Sequence, residues 1–464
     1  MCSHMLVSLS VANFRSFASE QTFSMRPKRR LGGEPEDHEF CVPGCGDDVL
    51  RTALIYGPSG GGKSNLFAAL RYVQTIVLGR KEQTRGTGRQ CFRLTHANDK
   101  PSTFDVKLVS ADKIYRYEVY VDDQRIIKER LVHVTGARQS LIYERYTNGA
   151  GKVEINAPGL ENENERLRAV VTLGGRHDRS FLATVRSILD PEHWGCTLSG
   201  IVDWFSSRLV FIGTGITPHA IYQLLATDAQ FRQFASEFLR AAGTGIDHLA
   251  VEQSEISRRE AQSLVTKDGL AAALAQLGAS GTTVLKSSDG LELLIGRDGH
   301  VERFFQIDIQ AVYKEKLYGD CTSPLSEESD GMQRLLQLMP ALYKTQLGGA
   351  VYCIDEVHRS MHPLFVSRLF EYFLRKCADM PSQIIATTHE SYLLNLLRRD
   401  EIWFAEKDSA GATKLTPLTQ FNPRKDARIA KSYLQGRFGG VPPVGDLESI
   451  AVVSVHSSQS RTQV

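Results

Sequence analysis

Short runs in which apolar and polar residues alternate dominate the first third of the chain, and that alternation predicts strands. Residues 6–11 alternate well enough for a strand. Asn13-Phe14-Arg15-Ser16-Phe17 comes next, and residues 22–25 read as a hairpin partner. Residues 104–109, 114–121, 125–134 and 140–146 form four further alternating runs separated by turn residues, with Asp122-Asp123 as one hairpin turn. Together they predict an antiparallel meander. Residues 26–48 and 80–90 are polar, charged or glycine-containing, and predict loops. From residue 160 the period lengthens to that of a helix, most clearly in 182–189 and 220–241. Gly243-Thr244-Gly245 ends the second of these, and 246–251 predicts a strand. Residues 253–290 are polar, with a helical hairpin around 260–279. That hairpin is too short for the arm of a long coiled coil, and no heptad pattern is sustained. Strands return from residue 291, and apolar helices are predicted at 332–347 and 363–377. No internal repeat is evident.

One apolar run stands apart because it opens onto a glycine-rich loop. Ala53-Leu54-Ile55-Tyr56 leads into Gly57-Pro58-Ser59-Gly60-Gly61-Gly62-Lys63-Ser64, and from Asn65 onward apolar residues recur at helical spacing. The stretch fits G-x-x-x-x-G-K-S/T between a strand and a helix, a geometry that turns backbone N–H groups and a helix N-terminus toward a polyphosphate. Residues 57–65 are therefore expected to bind ATP. Lys63 would reach the β- and γ-phosphates, and the Ser64 hydroxyl would ligate Mg²⁺. A second apolar run, Val351-Tyr352-Cys353-Ile354, ends in Asp355-Glu356. Beside such a loop, Asp355 would hold Mg²⁺ and Glu356 would polarise the attacking water as general base. A third, Ile384-Ile385-Ala386-Thr387-Thr388, ends in His389, at the strand end where ligands bind in open α/β sheets. His389 could hydrogen-bond the γ-phosphate there. Ser329 and Gly331 open the helix predicted at 332–347, a further N-terminus suited to an anion. The same residues would also serve as an ordinary helix cap.

The 464 residues suffice for two or three domains, and 42% hydrophobic with 23% charged residues is ordinary for a globular chain. A net charge of +2 makes no demand for nucleic acid. The basic clusters Lys28-Arg29-Arg30, Arg80-Lys81 and Arg424-Lys425 are short. No apolar run approaches the roughly 18 residues of a membrane span, and no charged-then-apolar segment opens the chain, so a cytoplasmic protein is expected. Cysteines 2, 41, 45, 91, 196, 321, 353 and 377 are scattered; Cys41 and Cys45 form a close pair without a second pair to complete a zinc site. Reduced thiols are expected.

Lys63, Ser329, Asp355-Glu356 and His389 stand in the order Walker A, signature, Walker B, switch histidine. That order resembles the ABC-type ATPase head in the branch with SMC, Rad50, RecF and the OLD-like ATPases, and Leu9 to Phe17 looks like that branch's first strand. More narrowly, several blocks resemble the stand-alone bacterial AAA15 ATPases of the RloA/AbiLi abortive-infection kind. These are Ile55 through Asn65, Glu328 to Leu335, Asp355-Glu356 with His362-Pro363, Thr387-Thr388-His389, Ile402-Trp403-Phe404, and the tail with Phe421-Asn422-Pro423 and Gly436-Arg437-Phe438-Gly439. In the signature, Glu328 and Met332 stand where the usual leucine and glutamine pattern would be. His362 occupies the D-loop aspartate position, and Gln90 is the candidate Q-loop glutamine.

The resemblance implies an α/β fold. It would be an ABC-type head with a mixed P-loop sheet and antiparallel meander, plus a helical lobe and no long coiled coil. Its parts would be an N-terminal ATPase lobe (5–155), a helical lobe and insertion (156–325), a C-terminal ATPase lobe (326–443) and a poorly ordered tail (444–464). It further implies an ATPase in bacterial anti-phage defence, forming a homodimer around ATP, with higher oligomers possible. The implied effector is a separately encoded Toprim-type nuclease, because no Toprim carboxylate set stands in this chain. The alternatives are a RecF- or Rad50-like DNA-binding repair ATPase and a slow-hydrolysing ATP-dependent scaffold.

Overall fold

The structure, a computed structural model, describes residues 3–28, 36–43, 48–79, 86–94, 100–213, 219–277, 280–287, 292–314, 319–345, 348–376, 380–423 and 428–441. The tail 444–464, the clusters Arg80-Lys81 and Arg424-Lys425, and Cys2, Cys45 and Cys377 lie outside the described residues, as do Arg29 and Arg30.

At the centre lies a six-stranded sheet in the order Leu209–Ile212, Val351–Ile354, Gln383–Thr388, Thr52–Tyr56, Ile402–Lys407, Thr413–Pro417. Its first five strands are parallel, and the last is antiparallel to its neighbour. Every residue of Val351–Ile354, Gln383–Thr388 and Thr52–Tyr56 is buried. Continuous apolar runs of this kind suit strands covered on both faces. On one face Ala53, Ile55, Cys353 and Ile385 join the helix Lys63–Leu78 in a core shared with a second sheet. On the other, Leu54, Tyr56, Tyr352 and Ile384 pack against the helix Pro363–Lys376.

The second sheet is the expected meander, seven antiparallel strands in the order Val153–Asn156, Arg138–Thr147, Ile126–Thr135, Lys113–Val121, Ser102–Ser110, His4–Ala12, Gln21–Ser24. The Asp122 carboxylate forms the predicted turn by accepting from the backbone N–H groups of Gln124 and Arg125, each at 2.8 Å. Gln383 ties the two sheets together. Its side-chain amide accepts from Leu6 N (2.6 Å) and donates to the carbonyls of Leu6 (3.0 Å) and Leu50 (2.8 Å), imitating a strand neighbour.

The lobe between the two halves of the central sheet contains more β structure than the sequence pattern announces. A five-stranded antiparallel sheet is built from His248–Ile256, Ser280–Lys286, Glu292–Asp298, Val301–Tyr313 and Cys321–Pro324. Helices His219–Thr227, Ala229–Ala241 and Asp330–Thr345 share a core with one face, and Arg258–Leu264 and Lys267–Gln276 with the other. The single helix expected over 220–241 is divided at Asp228. That residue is extended (φ −116°, ψ 101°), and its carboxylate caps the second helix by accepting from Phe231 N at 2.9 Å. Leu209–Ile212, in a stretch expected to be helical, is instead the outer parallel strand of the central sheet. The helices Lys63–Leu78 and Asp330–Thr345 have 16 residues each, far short of a coiled-coil arm. Among the described residues no helix is long and apolar enough to cross a membrane.

Candidate active site

Because Thr52–Tyr56, Val351–Ile354 and Gln383–Thr388 run parallel and adjacent, their C-terminal ends open on the same side of the sheet. The segments leaving those ends carry residues 57–62, Asp355-Glu356 and His389. Glycine is required in the first of them by close approach. A Cβ on Gly57 would lie 2.1 Å from the Ala405 carbonyl oxygen, and one on Gly62 (φ 100°) 2.0 Å from Thr413 Oγ1. Lys63 is almost fully buried, and its Nζ donates to the carbonyls of Gly57 (2.7 Å) and Pro58 (3.0 Å). Burial lowers its pKa from the usual lysine value, against the pull of the nearby Asp355 and Glu356 carboxylates. Asn65 is engaged elsewhere: its Nδ2 donates to Ser16 Oγ at 2.7 Å, fastening the opening strand's exit to the helix start. Arg15 lies between two partners, with Nη1 at 3.4 Å from Asn65 Oδ1 and Nε donating to Gln90 Oε1 at 2.8 Å. The Q-loop candidate Gln90 is thus engaged by Arg15.

Residues nearly three hundred positions apart meet beside Lys63. The Ser64 hydroxyl donates to Asp355 Oδ1 at 2.9 Å, and the same oxygen accepts from Thr387 Oγ1 at 2.6 Å. Thr387 Oγ1 in turn accepts from Glu356 N at 2.8 Å. Glu356 adopts φ 48°, a left-handed conformation uncommon outside glycine. The turn is held by Arg359 N donating to the Glu356 carbonyl (3.0 Å) and Val357 N to that of Thr387 (3.1 Å).

Arg334, which the sequence pattern does not single out, supports this turn from behind. It is 4% exposed, and its guanidinium donates to the carbonyls of Gly213 (2.9 Å), Asp355 (2.6 Å) and Glu356 (3.3 Å). The one available signal is a charged residue beside Leu335 and Leu336, both buried. Arg334 sits on the helix that Ser329 opens, so that helix is bolted to the Asp355-Glu356 turn. Gly331 fits closely there, since a Cβ would lie 2.5 Å from the Ser360 carbonyl oxygen. Ser329 is exposed, with its Oγ 3.4 Å from Met332 N. Among the described residues, neither Ser329 nor Gly331 hydrogen-bonds to residues 57–65.

His389 is exposed, and its ring centroid lies 3.9 Å from that of His358, at an interplanar angle of 69°. His358 Nδ1 sits 3.1 Å from Thr388 Oγ1. Burial, reinforced by His389, Lys63 and Arg334 nearby, pushes the His358 pKa down to about 4. A hydroxyl and a carboxylate facing each other at 2.9 Å are hard oxygen donors of the kind Mg²⁺ takes, and the loop beside them has no room for a Cβ at Gly57, Gly61 or Gly62. The residues present therefore fit a nucleotide with its magnesium ion.

Several solved structures are similar to this chain at low identity. The SMC head domain from Thermotoga maritima is 12% identical with a TM-score of 0.38, over 89% of this chain and 98% of that one. The SmcHead bound to the C-winged helix domain of ScpA gives 13%, 0.40, 89% and 96% in the same terms. The Smc head domain with an extended coiled coil from Pyrococcus furiosus, bound to the C-terminal domain of ScpA, gives 11%, 0.37, 94% and 99%. Among curated proteins none matches. Residues 53–395, from the strand before the glycine loop to beyond His389, match one family model, and the chain belongs to that family: AAA domain, putative AbiEii toxin, Type IV TA system.

Proposed function

We propose that this protein is an ATPase of the ABC type that binds ATP with Mg²⁺ at the Gly57–Ser64 loop and hydrolyses it. The observation that carries the reading is the meeting of Ser64 and Asp355 at 2.9 Å beside Lys63, across two loops remote in sequence. ATP would supply the phosphoanhydride bond that is broken, and Ser64 and Asp355 would hold the ion. Lys63 would exchange its two loop carbonyls for phosphate oxygens. Glu356 would orient and deprotonate the attacking water, and His389 would donate to the γ-phosphate. Phosphate release by the purified chain tests this. Glu356→Gln should lower the rate about 100- to 10,000-fold, the usual cost of losing a positioned base. An unchanged rate would remove Glu356 from the mechanism.

The reading extends to a site shared by two chains. Ser329 opens a helix whose N-terminus carries partial positive charge; the residue is exposed and, among the described residues, makes no bond to its own glycine loop. A two-fold partner would bring Ser329 and Gly331 to the other chain's ATP, so that ATP joins the halves. Mixing Lys63→Ala with Ser329→Arg, each inactive alone, should restore part of the turnover. No recovery in a mixture shown to exchange subunits would contradict the shared site. A role in bacterial defence, with a separately encoded Toprim-type nuclease as effector, is supported by the residue blocks shared with the AAA15 abortive-infection ATPases. The family's description as a putative toxin of a toxin–antitoxin system points the same way. Recovery of such a nuclease with the chain from its native operon tests it, and its absence from a stable native complex would argue against it.

A further inference from the structure

We propose that His358, His389 and Glu390 form a transition-metal site on the rim of the nucleotide site, suited to Zn²⁺. One potential ligand atom from each of the three side chains lies within 4.8 Å of the others. The three come from two constrained segments. His389 and Glu390 leave the end of the buried strand Gln383–Thr388, and His358 sits in the turn just after Asp355-Glu356. A single hydroxyl fixes two of them: Thr388 Oγ1 lies 3.1 Å from His358 Nδ1 and accepts from the backbone N–H of Glu390 at 3.1 Å.

With Nδ1 so engaged, Nε2 is the His358 nitrogen left to bind. Metal-bound imidazoles characteristically have their second nitrogen held by an oxygen in this way. Two imidazoles and one carboxylate are a borderline donor set. It favours Zn²⁺ over Mg²⁺, with a water completing a four-coordinate site. Tetrahedral zinc with bonds near 2.0–2.1 Å needs ligand atoms about 3.3 Å apart. Side-chain rotation of the exposed His389 and of the partly exposed Glu390 can supply that closure without moving the strand. Ser64 and Asp355, by contrast, offer hydroxyl and carboxylate oxygens and remain the Mg²⁺ pair.

A zinc ion on His389 withdraws that imidazole from the γ-phosphate, so zinc should inhibit ATP turnover. This consequence rests on the role proposed for His389, whereas the binding itself does not. The group Asp190, Glu192 and His193, with both carboxylates exposed, also gathers three potential ligands, with a single imidazole, and provides a control.

The test uses the full chain in excess Mg²⁺, titrated with Co²⁺ as a visible probe. One Co²⁺ per chain should bind with tetrahedral absorption bands and be displaced by Zn²⁺. His358→Ala and Glu390→Gln should each weaken that binding at least about tenfold, with circular dichroism unchanged, while His193→Ala should not. Absence of the bands at equimolar Co²⁺, or binding indifferent to both His358→Ala and Glu390→Gln, would overturn the site. Zinc that binds as expected yet leaves ATP turnover unchanged would uphold the site and refute the role of His389, so the two readings fail separately.

Discussion

Where the central strands begin, Glu401 is fully buried and its carboxylate is saturated. It accepts from Arg398 N at 2.7 Å and from the Thr52 hydroxyl, and pairs with His38 Nδ1 at 2.8 Å. Arg51 nearby, also fully buried, donates to the carbonyls of Asp37 (2.7 Å) and Leu374 (3.0 Å) and lies over the Phe373 ring. Where the same strands end, Asp355 and Glu356 are only half-buried. Asp355 accepts two hydroxyl donors on one oxygen, and among the described residues the Glu356 carboxylate accepts none. Both ends hold carboxylates next to cations, so charge alone does not separate them. Saturation does. A buried carboxylate with both oxygens engaged, here by three partners, is a structural joint, because an unpaired buried group costs about 1–3 kcal/mol or more. A half-buried one with lone pairs to spare can meet a metal ion or a water molecule.

Substitutions at the beginning end should therefore cost stability and leave the chemistry of each folded molecule intact. The largest effect is expected for Glu401→Ala, which strands His38 and the Arg398 N–H inside the protein. A loss of about 3–5 kcal/mol is expected, as for other buried pairs deprived of one partner. Urea unfolding measures it, and a loss below about 1 kcal/mol would mean that the joint is not structural. Gln383→Leu should come second. It leaves the Leu6 N–H, the Leu6 carbonyl and the Leu50 carbonyl without their buried partner, for about 2–3 kcal/mol after partial relaxation. Because Gln383 joins the two sheets, hydrogen exchange should rise at Leu6 and its neighbours first. Unaltered exchange there would break the argument.

The smallest effect is a pH dependence. Burial opposes charge on His38, but the hydrogen bond and charge of Glu401 outweigh it, so its pKa is raised from the usual 6.5. A raised histidine pKa stabilises the fold fully below the unfolded value and ceases to do so as pH rises through the folded one. The melting temperature should accordingly fall as pH is taken upward from 6.5. His38→Gln should flatten that fall; an equal fall in the variant would assign it elsewhere.

The two ends also differ in how much of them the sequence reveals. The glycine loop is contiguous, and its spacing alone predicts strand, turn and helix, as found. Asp355-Glu356 and His389 are readable because parallel strands covered on both faces leave unbroken apolar runs that point at their last residues. Thr387, Arg334 and His358 are not readable. A threonine in a strand and an arginine in an amphipathic helix are ordinary, and their roles depend on neighbours brought in by the fold. The joint at Glu401 joins residues 38, 52, 398 and 401, with no local pattern to betray it. In the lobe the strand Ser280–Lys286 is missed because its polar residues carry a weak alternation, and in the central sheet Leu209–Ile212 is missed because four apolar residues fit either period. Asp228 is the one local signal within 220–241, a capping residue between two helical stretches.

The central claim is that the end of the sheet with unsaturated carboxylates holds ATP, and equilibrium binding of a fluorescent ATP analogue in Mg²⁺ tests it most directly. The unmodified chain and Lys63→Ala would be compared at matched melting temperatures. Removing Nζ takes away the cation that rests on the carbonyls of the glycine loop. The account predicts saturable binding to the unmodified chain, competed by ATP, that is lost in Lys63→Ala. Binding of equal affinity in both proteins would contradict it.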